Sequence, residues 1–378
     1  MRFSDDDDAL RQGLRPWLDK LNDGHAERDA DAVFSRDAWE LVRRTGILGL
    51  PFEERFGGLG RSLPTTMHVL EGLGEGCRDA GLSFSVCTSM VSTGVPLQRY
   101  GSAALKERYL PGVCSGELIG AHAISEPDSG SDALAMRTRA ERDGDSFVLT
   151  GGKAFVSNGP VADVFVVYAR TDPRGGPLGI TAFLVDRDTP GLGVGRPVSK
   201  MGLRSSPLGE LFLDGCRIPA DRVLGRVGGG FLVLDHVMKW EILCSFAVTA
   251  GEMSHRLARC VEHARTRSQF GRTIGSFQAV SHRIVDMRIG VETARRWLYG
   301  TAEKLVAGEN VTEDVAIAKL VTSEANVASA LSAVQIFGGN GYMTEYGIER
   351  QLRDSVAGTI YSGSSEIQRN RIATMLGL

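Results

Sequence analysis

This chain of 378 residues has no C-x-x-C pair, no metal-binding histidine spacing and no long apolar run. Each absence removes a class of protein. The six cysteines (Cys77, Cys87, Cys114, Cys216, Cys244 and Cys260) are scattered. They read as reduced thiols of a cytoplasmic protein, not as a zinc or redox motif. His255 and His263 fall on one helical face, where solvated or packed side chains account for them, so no metal site is expected. No apolar stretch approaches a membrane span. The acidic start, Asp5 to Asp8, lacks the apolar core of a signal peptide. A net charge of −3 sets up no basic field, so nucleic acid is not an expected partner. There is no internal repeat and no low-complexity segment.

What is present falls into three textures. Residues 1–117 read as helical, with Trp39, Leu41, Val42, Ile47 and Leu48 as apolar points in a charged segment. Gly-rich stretches at Phe56–Gly60 and Gly72–Gly76 are expected to interrupt that pattern, and Pro111-Gly112 to end a helix. Residues 118–226 turn to β texture. Phe147–Thr150, Gly151-Gly152 and Lys153–Ser157 read as a hairpin, followed by β-branched or aromatic runs at Val164–Tyr168, Ile180–Val185 and Leu211–Leu213. In residues 227–378 helical periods return, at about Phe231–Thr266, Gln278–Ala307 and from Thr312, read as an N-cap, to Gly338. The expected fold class is α+β, mainly α: an N-terminal helical domain, a middle β domain and a C-terminal helical bundle.

Four segments carry candidate chemistry. Gly120–Asp132 (GAHAISEPDSGSD) joins a strand end to a loop rich in hydroxyls and backbone N–H groups, suited to an anionic or carbonyl-rich ligand or to an ordinary turn. Gly151–Pro160 (GGKAFVSNGP) places Phe155 two residues from Ser157, a ring and a hydroxyl on one side of a strand. Arg267–Gln278 (RSQFGRTIGSFQ) is a helix end, a turn and a new start, with side chains able to hold phosphate or adenine or simply to face water. Gln335–Tyr342 (QIFGGNGY) permits close backbone approach but is neither a Walker nor a dinucleotide loop.

Together with the tail IERQLRDS…IYSGSSEIQRNRIA, these segments and their order resemble the acyl-CoA dehydrogenase family over about Trp39 to Leu376. The resemblance implies a C-terminal four-helix bundle, a homo-oligomer (dimer or tetramer, usually a homotetramer) and an FAD cofactor between the β domain and the bundle. It implies flavin-side contacts from Ile124, Ser125, Ser131, Phe155 and Ser157. Across a dimer it implies contacts to the dinucleotide from Arg267, Phe270 and Gln278, with Gln335 and Gly339 as a second stretch. Ser364 and Glu366 match positions on the pyrophosphate and adenosine side, where Glu366 is a departure: an acid there repels phosphate unless it meets a hydroxyl.

The base decides the reaction. Thioester α,β-dehydrogenation removes an α proton and a β hydride, and the proton calls for a carboxylate whose pKa an apolar pocket lifts toward neutrality. Many family members place that Glu in Tyr-Glu-Gly-Thr, but this chain has Tyr361-Ser362-Gly363-Ser364. Other members, isovaleryl-CoA dehydrogenase among them, carry the base on a bundle helix. Counting back from Arg267–Gly271 puts Glu241 at that position, on a helical face with Leu234, Val237, Met238, Cys244, Ser245 and Val248. Ile242 stands where the family often has Arg. Ser362 keeps the backbone N–H that the family uses to polarise the thioester carbonyl.

The leading expectation is therefore an FAD-dependent dehydrogenase with Glu241 as base, acting on an acyl-CoA or an acyl-carrier-protein thioester and passing electrons to an electron-transfer flavoprotein. Two alternatives are a flavin oxidase or oxygenase on the same fold, and a non-catalytic flavin-binding subunit.

Overall fold

The computed structural model describes residues 3–378. Eight helices come first: α1 (Asp5–Gln12), α2 (Arg15–Asn22), α3 (His25–Asp31), α4 (Arg36–Thr45), α5 (Leu63–Gly76), α6 (Ala80–Ser89), α7 (Val95–Tyr100) and α8 (Ala103–Ser115). Side-chain caps from Ser4, Ser35, Ser62, Asp79 and Ser102 satisfy first-turn N–H groups in five of them. Between α6 and α7 the chain does not break but widens into a π turn, Met90–Gly94. The continuous stretch Ala80–Tyr100 does have the length and composition of a membrane span, contrary to the reading of the sequence. Within the fold, 89 % of its most apolar window is buried.

The middle of the chain forms one sheet. Its strands are β1 (Gly120–Ala123), β2 (Arg139–Asp143), β3 (Ser146–Ser157), β4 (Val164–Arg170), β5 (Ile180–Asp186), β6 (Leu192–Val194), β7 (Leu208–Pro219) and β8 (Val223–Leu224). The order is β6-β7-β3-β2-β4-β5-β8, with β1 parallel to β4. β4 is buried along nearly its whole length, which is why Val164–Tyr168 shows no polar alternation.

A bundle closes the fold: α9 (Gly230–Thr266), a short exposed ribbon of β9 (Ser268–Gln269) and β10 (Arg272–Thr273), α10 (Gln278–Val306), α11 (Thr312–Phe337), α12 (Gly339–Tyr342), α13 (Ile348–Ala357) and α14 (Ser365–Met375). Buried polar ties lock the long helices together. Glu71 on α5 accepts from Arg295 Nε at 2.9 Å and from the Tyr299 hydroxyl at 2.7 Å, both on α10. Arg256 on α9 donates to Gln351 and Asn326, each at 2.9 Å.

Four local expectations fail, each for a physical reason. Gly151-Gly152 is not a hairpin turn: β3 runs straight through, with register irregularities on either side of it. The actual hairpin is β2–β3, turning at Gly144 with φ 59°. Pro111 lies inside α8, which ends at Gly116 in the left-handed conformation. Gly74 is a contact, not a break: a Cβ there would overlap the carbonyl of Val248, and one on Gly251 would overlap that of Glu71, so α5 and α9 touch backbone to backbone. Thr312 is the first residue of α11, not its cap; Asn310 Oδ1 accepts from its N–H at 3.2 Å.

Candidate active site

Glu241 sits at the start of the fourth turn of α9, its side chain 13 % exposed. Three separate elements bring polar groups to its carboxylate. The Ser92 hydroxyl, from the π turn, donates to Oε2 at 3.2 Å. His122 Nε2, from β1, lies 3.1 Å from the same oxygen. The Ser362 hydroxyl, from the turn before α14, donates to Oε1 at 2.5 Å.

Local structure explains each placement. The π turn is pinned to β1 by a bond from Thr93 Oγ1 to the Ala121 carbonyl at 3.3 Å, and the end of α6 just before it by one from Gly120 N to Ser89 Oγ at 3.0 Å. A Cβ on Gly120 would collide with Thr93, so only glycine admits this approach. Strand alternation then buries Ala121 and Ala123 and turns His122 to the opposite face, toward Glu241. Ser362 takes a left-handed φ of 54°, held by Gln368 Nε2 donating to its carbonyl at 2.9 Å. Among the described residues its own N–H makes no backbone hydrogen bond.

The electrostatics correct the sequence reading. Burial pushes the Glu241 pKa up, but His122 and the hydroxyls of Ser362 and Ser92 outweigh it and hold the carboxyl below its ordinary value. The apolar helix face is real, with Leu234, Val237, Cys244, Ser245 and Val248 all buried. The carboxylate itself projects into a polar nest. His122 and Ser92 were not singled out from the sequence. His122 stood inside a quoted motif, but its meaning depends on which way β1 faces. Ser92 reaches the site only through a π turn, for which the chain carries no simple signal.

One turn beyond Glu241, a cavity of about 20 Å³ remains between Phe84, Cys87, Ser245, Thr249, Glu252 and Tyr361. That is room for about one water molecule. Tyr361 fills the space, its ring 5.0 Å from that of Phe84 and 5.5 Å from that of Phe246. At the far side burial raises Glu252 to about 7, with Asp354 adding to the rise.

The expected flavin-side residues form one group. Ala154 N donates to the Ser125 carbonyl at 2.9 Å, joining the Ile124-Ser125 segment to the end of β3. Phe155 there is 70 % exposed with φ 55°, and Ser157 ends the strand partly exposed. Ser131 lies in the exposed loop nearby. Beneath them Lys153, fully buried, donates to Glu126 at 2.8 Å and to the Ile124 carbonyl at 3.0 Å. Glu126 also accepts from the N–H groups of Arg137 and Thr138. An exposed ring beside hydroxyls and peptide edges fits a flat heteroaromatic with a polar rim, as an isoalloxazine has. Ser364 caps α14, and Glu366 lies in its first turn; its own N–H and the Ser364 hydroxyl hold it below the usual carboxylate range. Glu366 is therefore held as an anion by the N-terminus of its own helix.

Arg267, Phe270 and Gln278 gather elsewhere, around the β9–β10 ribbon, with Phe270 92 % exposed. Gln335 and Gly339 are at that same end, where His263 stacks on Phe337 at 4.1 Å. Arg267 lies 26 residues beyond Glu241, roughly 39 Å along the helix. Within a single chain these five residues do not meet the Glu241 site.

Comparison with known proteins identifies the family. Residues 4–117 match the N-terminal domain of acyl-CoA dehydrogenases, residues 121–216 the middle domain and residues 228–377 the C-terminal domain. The chain belongs to the acyl-CoA dehydrogenase family. It is 42 % identical over 347 residues to an L-prolyl-[peptidyl-carrier protein] dehydrogenase of Pseudomonas fluorescens, covering 91 % of each chain. Its fold is similar to that of the prolyl acyl carrier protein oxidase AnaB, with a TM-score of 0.97, 38 % identity and full coverage of both chains. It is similar to that of PigA with FAD and proline, with a TM-score of 0.97 and 36 % identity, covering 100 % of this chain and 99 % of that one. The protein is a flavin-dependent oxidoreductase of acyl thioesters acting on CH–CH groups, and its cofactor is FAD.

Proposed function

We propose that this enzyme dehydrogenates a small cyclic aminoacyl thioester, L-prolyl on a carrier protein, with Glu241 as the base. The observation that carries the reading is the convergence of Ser92, His122 and Ser362 on one α9 carboxylate, where the alternative base position holds only a serine. Glu241 takes the α proton. The unbonded Ser362 N–H is free to donate to the thioester carbonyl, stabilising the charge that develops as the proton leaves. Bound FAD supplies a hydride acceptor for the β carbon. Ile124, Ser125, Ser131, Phe155 and Ser157 hold its ring side, and Ser364 and Glu366 flank the pyrophosphate side. The ring-filled floor beneath Glu241 suits a short acyl group, and the prolyl relatives point to proline.

The remaining assignments belong to the same proposal. Domain limits fall at 117/118 and 226/227, where no helix or strand crosses. The exposed Phe270, Val285, Ile289, Leu331 and Tyr342 on the bundle support a homotetramer in which Arg267, Phe270, Gln278, Gln335 and Gly339 serve a neighbour's FAD. Six free, buried cysteines support a cytoplasmic location. Electrons pass to an electron-transfer flavoprotein. The name of the AnaB relative favours dioxygen as a second reading, and fast reoxidation of the reduced enzyme by air would select it.

The test is anaerobic mixing of the enzyme with L-prolyl, isovaleryl and butyryl thioesters on carrier protein and on CoA. The yellow colour should bleach with the prolyl carrier. Glu241→Gln should slow bleaching by about 10²–10⁴-fold while retaining FAD. Unchanged bleaching in that variant would remove Glu241 from the chemistry.

A further inference from the structure

We propose that the surface at the N-terminal end of α9 is the docking face for the carrier protein, and that it takes an acidic protein surface, not a free nucleotide carrier. This inference rests on Glu241 being the base. Leu178, Val227, Phe231 and Leu232 are 67, 48, 37 and 52 % exposed. They are held together by backbone: the Tyr100 hydroxyl donates to the Leu232 carbonyl at 3.3 Å, Gly225 N donates to the Tyr100 carbonyl at 2.9 Å, and a Cβ on Gly228 would meet the Leu178 carbonyl. Four large apolar side chains exposed together on a fixed backbone mark an interaction surface.

The surrounding charge selects the partner. Neighbouring cations are already matched, Arg222 with Asp186 and Lys239 with Asp235. Arg99 and Arg226 are exposed, and among the described residues neither pairs with a carboxylate. Arg99 lies close enough to His236, on the second turn of α9, to hold its pKa down, after the larger effect of burial. Two free arginines beside an apolar patch complement a small acidic protein with an apolar contact point.

Reach agrees with this position. Phe231, Leu234, Met238 and Glu241 follow one another at steps of three, four and three, so they share one face of α9. Ten residues of helix separate the first from the last, roughly 15 Å, and exposure falls from Phe231 to Leu234 along the way. A protein seated at Phe231 and Leu232 can send a flexible phosphopantetheine arm down that face to Glu241.

The experiment measures kcat/KM of the FAD-loaded enzyme for three thioesters: L-prolyl on a phosphopantetheinylated carrier protein, L-prolyl-CoA and L-prolyl-pantetheine. The double variant Arg99→Glu/Arg226→Glu should lose about tenfold or more on the carrier substrate, through KM. It should keep its rate on L-prolyl-pantetheine, and its FAD content. Leu232→Ser should act in the same direction, and salt should weaken only the carrier reaction. Equal losses on all three thioesters, or no loss on the carrier, would overturn the docking face. Glu241→Gln slowing turnover of all three to the same large extent would leave the base assignment standing even then.

Discussion

The Ser362 hydroxyl donates to Glu241 Oε1 at 2.5 Å although 121 positions separate the two residues. The turn before α14 thus contributes a donor to a carboxylate on α9. That relationship gives the carboxylate its unusual setting, since the same carboxylate also meets Ser92 and His122. A buried acid with three such partners stays ionised below the usual carboxylate range.

A pH consequence follows directly. A lowered folded-state value means the Glu241 carboxylate remains ionised, and its contribution to stability remains in place, until pH falls through that depressed value. His122→Asn removes the largest influence opposing burial, so the acidic limb of the kcat/KM profile should move to higher pH. Ser92→Ala should move it the same way by less. An unshifted limb in both variants would separate these residues from the base.

Lys153→Met should weaken FAD retention without touching Glu241. It strips the cation from the buried Glu126 and the ammonium from the Ile124 carbonyl. Breaking a buried pair in this way costs about 3–5 kcal/mol. The thermal midpoint should fall, and the flavin should be lost on gel filtration; a variant with wild-type stability and full flavin would show the pair to be dispensable.

Tyr361→Ala should lengthen the acceptable acyl group. The ring occupies the space between Phe84 and Phe246 one turn past Glu241. Truncation of a packed aromatic costs about 3–5 kcal/mol, so the readout is selectivity: the ratio of kcat/KM for hexanoyl over L-prolyl thioester should rise. A constant ratio would place the acyl group elsewhere.

Much of this architecture was legible because apolar periodicity reports burial. Val164–Tyr168 and Ile180–Val185 read as strands since both faces of β4 and β5 are covered. The stripe around Glu241 emerged the same way. What failed were features set by contacts between distant segments. Gly74 looks like a breaker until Val248 is placed against it, and Gly151 looks like a turn until β7 pairs along both of its flanks. The pKa direction of Glu241 was misread for the same reason. An apolar helix face says nothing about what β1 and the π turn bring opposite it.

The five-residue widening at Met90–Gly94 sets a limit on how this enzyme can be altered. An α-helix advances by about 100° per residue, so deleting one position there would regularise the rod and swing Ser92 away from the carboxylate. Thr93 would leave its anchorage on Ala121 in the same motion. A gain in helical regularity would therefore cost Glu241 one of its three polar partners, and selection for thermal hardness alone would act against the irregularity that supplies it.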